Sequence, residues 1–340
     1  MNIIKKWYTY QKERFPVLVY GLYILAIVFA IFGFIESINV EESRNIKQYV
    51  DLFTGKNVYY TYTYKIQWLQ LIPMFIVAFL QFFMVRIVDE FKDYDEDCLY
   101  RPYRPVPRGL ITLRELRIVF LISFILQAIL TIFYIKVPLF YKEDVGNLTV
   151  MPRTYLNFTY PLLLILLWGY FFLMSKNFFM KKFLSKHLLL EVFLDELLMP
   201  IMGLYLIGFL SEDVFNIPDI WKILLLTYII SWIVEIARKV RCKEDEEEGV
   251  KTYTAVLGIP KTILILFILE LLLMFIQISI LGDKYILFAI LTFIIASIPN
   301  IIFDVKKNKK CAKLVEIFAN AYIIIAYLSI GLKFVLENVI

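Results

Sequence analysis

Carboxylates are concentrated directly after an apolar run, in a stretch that we call the first acidic motif (Asp89–Asp97). Three of them recur at four-residue intervals: Asp89, Asp93 and Asp97. A helix that continued through this stretch would place them on one face, where their mutual repulsion favours a bound divalent cation. Three arginines follow among prolines that forbid a helix: Arg101, Arg104 and Arg108. Carboxylates for a metal followed by arginines for an anion predict a site for Mg²⁺ and a diphosphate.

The composition indicates a membrane protein. The chain has 340 residues, of which 60% are hydrophobic, and its mean hydropathy is +0.71. A soluble domain of this length does not carry so much apolar surface. No cleavable signal is expected, because the first apolar run is too long and lacks a small-residue cleavage site. The three isolated cysteines predict neither a disulfide framework nor a zinc site.

Nine apolar segments are long enough to span a bilayer. They are Phe15–Ile35, Ile66–Val88, Leu113–Ile135, Asn157–Ser175, Leu188–Leu210, Asp219–Val240, Pro260–Leu281, Lys284–Phe303 and Leu314–Glu337. We therefore predict an all-α polytopic membrane protein with one domain over residues 1–340. Residues 1–14 are expected at the membrane surface, and residues 36–65 form a polar extracytoplasmic loop.

The distribution of positive charge predicts the orientation. The N-terminal segment and the connections after even-numbered spans carry most of the Lys and Arg residues outside the spans. By the positive-inside rule these segments are cytoplasmic and the C-terminus is outside. The expected location is a prokaryotic plasma membrane.

Two further groups of charges lie on the predicted cytoplasmic side. The connection after span six, which we call the second acidic cluster (Glu235–Thr252), mixes acids and bases. Span five begins with Glu191, Asp195 and Glu196. Each charge held away from the interface would cost roughly 3 kcal/mol on insertion scales, so these acids predict a wet cavity or paired bases.

The motifs resemble those of the UbiA-type intramembrane prenyltransferases. That family has nine membrane helices, a motif of the form Asn-Asp-x-x-Asp-x-x-x-Asp after helix two, and a second acidic motif after helix six. Here the first motif has Asp89 for Asn and Glu90 for Asp, and its two later aspartates match. The Arg-Pro-x-Pro-Arg-Gly-Leu-Ile segment and Arg14-Phe-Pro16 are also similar to family segments. The resemblance implies a helical bundle around a central cavity that is open to the cytoplasm.

The second acidic cluster departs further from the family pattern. Its closing Gly-x-x-Thr and Leu-Gly segments fit, and Asp245 stands where an aspartate is expected. Arg238 and Arg241, however, occupy positions that usually carry acids. The ligands of a second metal therefore stay open among Asp245, Glu244 and Glu235. The two arginines could instead neutralise part of the diphosphate charge.

The resemblance implies transfer of an isoprenyl chain from an allylic diphosphate to an aromatic or lipid precursor. Mg²⁺ neutralises the leaving diphosphate, basic side chains complete the clamp, and apolar helices keep water from the allylic cation. The implied metal ligands are Asp89, Glu90, Asp93, Asp97, Glu235, Glu244 and Asp245. The implied diphosphate ligands are Arg14, Arg101, Arg104, Arg108, Arg238, Arg241 and Lys251, with Lys181 and Lys182 as weaker candidates. The implied catalytic residues of the first motif are Asp93 and Asp97. Glu191 and Asp195 are further catalytic candidates, to orient or deprotonate the acceptor, because their predicted depth is close to that of the two clusters.

Two other functions fit parts of the sequence. An ion- or proton-coupled transporter could use Glu191, Asp195 and Glu196 as a relay, although transporters usually place essential charges near the bilayer midplane. The second alternative is a family member that binds isoprenyl diphosphate but does not turn it over. It is suggested by Arg238 and Arg241, which replace acids of the second motif. The expected partners are the diphosphate donor, an unidentified acceptor and the lipid bilayer. Neither nucleic acid nor an obligate protein partner is predicted.

Overall fold

The computed structural model describes residues 2–44, 47–50, 57–60, 64–134, 144–145, 148–149, 159–211, 213–247 and 249–340. Its α-helices are α1 (Ile3–Arg14), α2 (Val17–Arg44), α3 (Leu71–Lys92), α4 (Tyr94–Tyr100), α5 (Leu113–Tyr134), α6 (Thr159–Ser175), α7 (Lys181–Leu184), α8 (Leu188–Glu196), α9 (Leu198–Ile207), α10 (Ile220–Arg238), α11 (Tyr253–Leu257), α12 (Ile259–Leu281), α13 (Ile286–Lys306) and α14 (Lys309–Asn338). Two short antiparallel strand pairs are β1 (Lys47–Val50) with β2 (Asn57–Tyr60) and β3 (Asp144–Val145) with β4 (Leu148–Thr149).

Among the residues that the structure describes, seven helices are long and apolar enough to cross a membrane: α2, α3, α5, α10, α12, α13 and α14. They coincide with seven of the nine predicted spans, which confirms a helical integral membrane protein. The 17-residue helix α6 covers most of the predicted fourth span and is shorter than the others. The count of nine spans and the central cavity stay predictions.

The predicted fifth span, Leu188–Leu210, is divided into two helices. α8 ends at Glu196, and α9 begins at Leu198. Pro200 explains the break, because it has no backbone N–H to donate to the carbonyl of Glu196 four residues earlier. The acids of this segment therefore belong to a short helix of nine residues.

The predicted outer loop, residues 36–65, begins as helix, because α2 continues to Arg44. Glu36 is fully buried. Its carboxylate accepts hydrogen bonds from the Tyr64 hydroxyl at 2.9 Å and from the backbone N–H of Gln67 at 3.4 Å. These bonds join the two ends of the loop. Residues 45–46, 51–56 and 61–63 of this loop lie outside the described residues.

α2 packs along α14, and glycines lie at their contact. A Cβ atom on Gly33 would lie 2.8 Å from the Cα of Gly331. Because neither residue has a side chain, the two backbones can approach closely, as small residues allow in membrane helix pairs. The main apolar core includes residues of both helices.

α1 lies against the end of the bundle that carries the first acidic motif. Its Tyr10 is fully buried in a cluster with Ile87, Val106, Ile111 and Leu116. Its Lys6 pairs with Glu115 at the start of α5, at 2.6 Å. The position of this helix at a membrane surface stays a prediction.

Glu270 is a fully buried acid near the middle of α12 that the sequence analysis did not single out. Its carboxylate accepts hydrogen bonds from Asn300 Nδ2 at 2.8 Å and from Ser297 Oγ at 3.1 Å, both on α13. Both donors are buried as well. This group therefore joins two neighbouring helices by polar contacts inside the bundle.

Glu270→Ala is expected to lower the free energy of unfolding by about 1–3 kcal/mol, because it leaves the Ser297 and Asn300 donors buried without a partner. Glu270→Gln keeps an acceptor oxygen and similar volume, so it is expected to unfold close to the wild-type temperature. Thermal unfolding of both purified variants in detergent measures the difference. Equal losses in the two variants would contradict the assigned role of these hydrogen bonds.

Candidate functional site

The first acidic motif lies where α3 passes into α4. α3 ends at Lys92, Asp93 forms the junction, and α4 begins at Tyr94. The backbone N–H groups of Asp93 and Asp97 donate to carbonyls four residues earlier, at 2.9 and 2.8 Å. These two hydrogen bonds bridge the junction, but the helix is interrupted at Asp93 and does not run unbroken through the motif.

The aspartates of this motif have different surroundings. Asp97 is buried and accepts a hydrogen bond from Arg104 Nη1 at 2.7 Å, while Arg101 Nη1 lies 3.6 Å away. Asp89 lies 3.4 Å from Arg86 Nη1 and keeps 35% of its side chain exposed. Asp97 is thus neutralised by two arginines that were predicted to bind diphosphate. Asp89 has a weaker contact and surface left for a further cation.

Of the three regularly spaced aspartates, Asp93 has the least compensation for its charge. Within the described parts of the chain, no basic side chain forms an ion pair with it. Burial raises the pKa of the Asp93 carboxyl to about 6, and the neighbouring Asp89 carboxylate adds to the rise. A bound cation would offset both effects, because it stabilises the ionised form.

Glu90 and Arg14, predicted as metal and diphosphate ligands, contact each other. Arg14 Nε donates to Glu90 Oε1 at 2.5 Å, and Arg86 Nη2 lies 3.3 Å from the same oxygen. The Glu90 side chain is only 1% exposed. This pair therefore joins the end of α1 to α3.

The segment after α4 and the second acidic cluster lie in contact. Arg101 Nε lies 3.3 Å from Glu247 Oε2, and Arg241 Nη1 lies 3.7 Å from Glu247 Oε1. Gly249 has a positive φ of 74°, and a Cβ there would overlap the Tyr100 ring. Residues that are almost 150 positions apart in the chain are thereby held together, with arginines on both sides of one glutamate.

A second contact forms at the end of α10. Arg238 Nη2 donates to Glu235 Oε2 at 2.6 Å, and Lys239 pairs with the other oxygen of Glu235. Asp89 on α3 lies within electrostatic range of Arg238. The guanidinium therefore lies near acids from both motifs.

Lys92 is a site residue that the sequence analysis missed. Its ammonium lies 2.9 Å from Asp195 Oδ2 and 3.6 Å from Glu191 Oε1 on α8. Glu196, the next residue on α8, lies within electrostatic range of Glu235. The predicted paired base for the span-five acids is thus supplied by the first acidic motif itself. The presence of a lysine among the aspartates of this motif could have indicated such an ion pair from the sequence.

Lys92→Met is expected to destabilise the protein by about 1–3 kcal/mol, because the half-buried carboxylates of Asp195 and Glu191 lose their shared cation. Adding Asp195→Asn should recover part of the loss, since one of those charges is then removed. Chemical or thermal unfolding of the two single variants and the double variant measures the coupling. Strictly additive losses would show that the ion pair does not contribute.

The side chains of the remaining predicted ligands contact residues that were not predicted as ligands, or are exposed. These pairs are Arg108 with Glu13 (2.8 Å), Lys181 with Glu96 (3.5 Å), Lys251 with the Ser185 carbonyl (2.9 Å) and Asp245 with Lys309 (2.6 Å). Lys182 and Glu244 are exposed. Among the contacts of the described residues, none joins these six ligands to Asp89 or Asp93.

The donor set at the first acidic motif suits Mg²⁺ that is shared with a substrate. In the described part of the chain, no three His, Cys, Asp or Glu side chains are already assembled around a metal position. Mg²⁺ is commonly held by one or two carboxylates and completed by substrate phosphates and water. Asp89 and Asp93, on successive turns and incompletely neutralised, fit that chemistry.

Comparisons with known proteins agree with this architecture. A solved structure of digeranylgeranylglyceryl phosphate synthase is similar with a TM-score of 0.57 at 19% identity, over 97% of this chain and 99% of that one. A UbiA homologue from Aeropyrum pernix K1 is similar with a TM-score of 0.54 at 13% identity, over 89% of this chain and 97% of that one. These likenesses concern the fold. No curated protein matches the chain.

The UbiA prenyltransferase family profile matches residues 52–322. The match contains both acidic regions and most of the long helices. The chain therefore belongs to the UbiA prenyltransferase family.

Proposed function

We propose that this protein catalyses the Mg²⁺-dependent transfer of an isoprenyl chain from an allylic diphosphate to an aromatic or lipid acceptor within the membrane. The observation that supports this most is the contact between the two charged regions through Arg101, Glu247 and Arg241. It brings arginines to the end of an apolar helical bundle that also carries the carboxylates of α3. Such a site can hold a diphosphate at the membrane boundary while its isoprenyl tail lies among apolar side chains.

The first acidic motif supplies the metal ligands in this proposal. Asp89 and Asp93 hold Mg²⁺, which when bound neutralises the charge that develops on the leaving diphosphate. Arg101, Arg238 and Arg241 bind diphosphate oxygens as charged donors. Each of these arginines keeps accessible surface in addition to its acidic partner.

Asp97 acts as a positioning residue in this proposal. It is buried between Arg104 and Arg101, with its carboxylate 2.7 Å from Arg104 Nη1. Holding two long side chains in place lowers the entropy that they would lose when a diphosphate binds. The sequence-based expectation that Asp97 binds the metal directly is the competing assignment, and metal affinity of an Asp97→Asn variant distinguishes the two.

The acceptor is proposed to lie beside α8. Asp195 Oδ2 is bound by Lys92, whereas its Oδ1 is buried without a hydrogen-bond partner among the described residues. A hydroxyl of the acceptor could donate to that oxygen, which would orient the acceptor and withdraw its proton as the new bond forms. Glu191 also contacts Lys92, so the charge of this lysine is shared between Glu191 and Asp195.

The test is diphosphate release by the purified protein. Labelled farnesyl or geranylgeranyl diphosphate is supplied with Mg²⁺ and a panel of phenolic and lipid alcohol acceptors, and products are identified by mass spectrometry. Mg²⁺-dependent release with formation of a prenylated acceptor supports the proposal. Tight diphosphate binding without release would identify a non-catalytic member of the family.

The transporter alternative has less support from the geometry. Glu191 and Asp195 share one lysine at the end of the bundle that carries both acidic regions. A relay needs acids that exchange protons or ions along a path, and a permanent ion pair opposes that exchange. Proteoliposomes that carry the protein should show no proton or Na⁺ flux above that of empty vesicles.

A further inference from the structure

Most of the described acids of the second acidic cluster are already paired with bases or hydrogen-bonded within the protein. Glu235 is bound on one oxygen by Arg238 at 2.6 Å and on the other by Lys239. Its side chain is 15% exposed. A metal ion placed against Glu235 would have to displace two cations, whose combined charge equals that of one Mg²⁺.

The other described acids of the cluster are engaged in the same way or face solvent. Asp245 pairs with Lys309 at 2.6 Å, and Glu246 accepts hydrogen bonds from the hydroxyls of Thr252 and Thr254 at 2.7 and 2.9 Å. Glu247 lies between two arginines. Glu244 is exposed. The described donor set does not fit a second metal, because its carboxylates contact different partners rather than a shared position.

The first acidic motif differs in this respect. Asp93 forms no ion pair among the described residues, and Asp89 has one contact at 3.4 Å with Arg86. Arg238 lies near Asp89 and still exposes 48% of its side chain. Its guanidinium therefore has donors left for an anion bound beside the carboxylates of α3.

We infer that the protein binds a single Mg²⁺, at Asp89 and Asp93, and that Arg238 with Lys239 provides the fixed positive charge where a second metal would otherwise act. This inference rests on the proposed function. A guanidinium remains protonated at every physiological pH and is held in place by Glu235, so this half of the diphosphate site exists without metal. The chain consequently binds pyrophosphate through Arg238 even when Mg²⁺ is absent.

The first test counts metal ions. Mn²⁺ is titrated into the purified full-length protein with inorganic pyrophosphate, and protein-bound Mn²⁺ is determined after rapid gel filtration. We expect one ion per chain, and Asp93→Asn should remove it. Two ions in the wild-type protein would overturn this inference and leave the proposed function intact. No bound ion would overturn both.

The second test measures pyrophosphate binding without metal, by calorimetry in the presence of a chelator. Arg238→Gln is expected to weaken binding about tenfold or more, because a charged donor to the anion is lost. Lys243→Gln is the matched control, since Lys243 is an exposed lysine of the same cluster and should bind as the wild type does. Equal affinities of the Arg238 variant and the wild type would overturn the assignment, and the unfolding temperature of each variant verifies that it is folded.

Discussion

Asp93→Asn is expected to reduce Mg²⁺-dependent transfer by about 10³-fold while the protein stays folded and inserted in the membrane. Asparagine keeps the shape of the side chain but removes the negative charge that a Mg²⁺ ligand requires. Folding should not suffer, because Asp93 has no basic partner among the described residues that would be left unpaired. Removal of a partly buried and poorly compensated charge should even raise the unfolding temperature slightly.

Initial rates of diphosphate release measure the loss. Asp95→Asn is the matched control, because Asp95 lies two residues away in α4 and is exposed. It should retain wild-type rates. Unchanged turnover in the Asp93 variant would contradict the assignment of Asp93 as a metal ligand. An equal loss of activity in both variants would mean that the net charge of the segment, rather than Asp93 itself, causes the effect.

Gly33→Leu is expected to lower the free energy of unfolding by about 3 kcal/mol, at the upper end of the usual cost of overpacking. The reason is the contact of α2 with α14, where a Cβ on Gly33 would lie 2.8 Å from the Cα of Gly331. The neighbouring atom belongs to backbone, so no side-chain rotation can make room. The two helices would have to separate along their length.

The comparison is with Gly21→Leu on the same helix, where a Cβ would meet nothing within 4 Å. That variant should unfold at or above the wild-type temperature, because leucine has a higher helix propensity than glycine. Thermal unfolding in one detergent, followed by circular dichroism, measures both. Similar unfolding temperatures for the two variants would mean that the glycine contact does not limit the packing of α2 on α14.

Local properties of the sequence determined much of this protein. Seven of the nine predicted spans correspond to long apolar helices in the described part of the chain, because bilayer thickness sets the length of an apolar helix and that length is visible in the sequence. Backbone hydrogen bonds of helical spacing still connect Asp89, Asp93 and Asp97, since such bonds depend on neighbours along the chain, although the helix is interrupted at Asp93. The motif residues also identified the family correctly.

The partners of the charged side chains were decided only by the tertiary structure. The sequence did not indicate that Lys92 would bind Asp195, that Glu90 would bind Arg14, or that Asp245 would bind Lys309 on α14. Ion pairs depend on distances of a few ångströms between different helices, and helix packing sets those distances whereas periodicity does not. The sequence thus determined which charges stand at the ends of the helices. Packing decided which of them are already neutralised and which are left for a ligand.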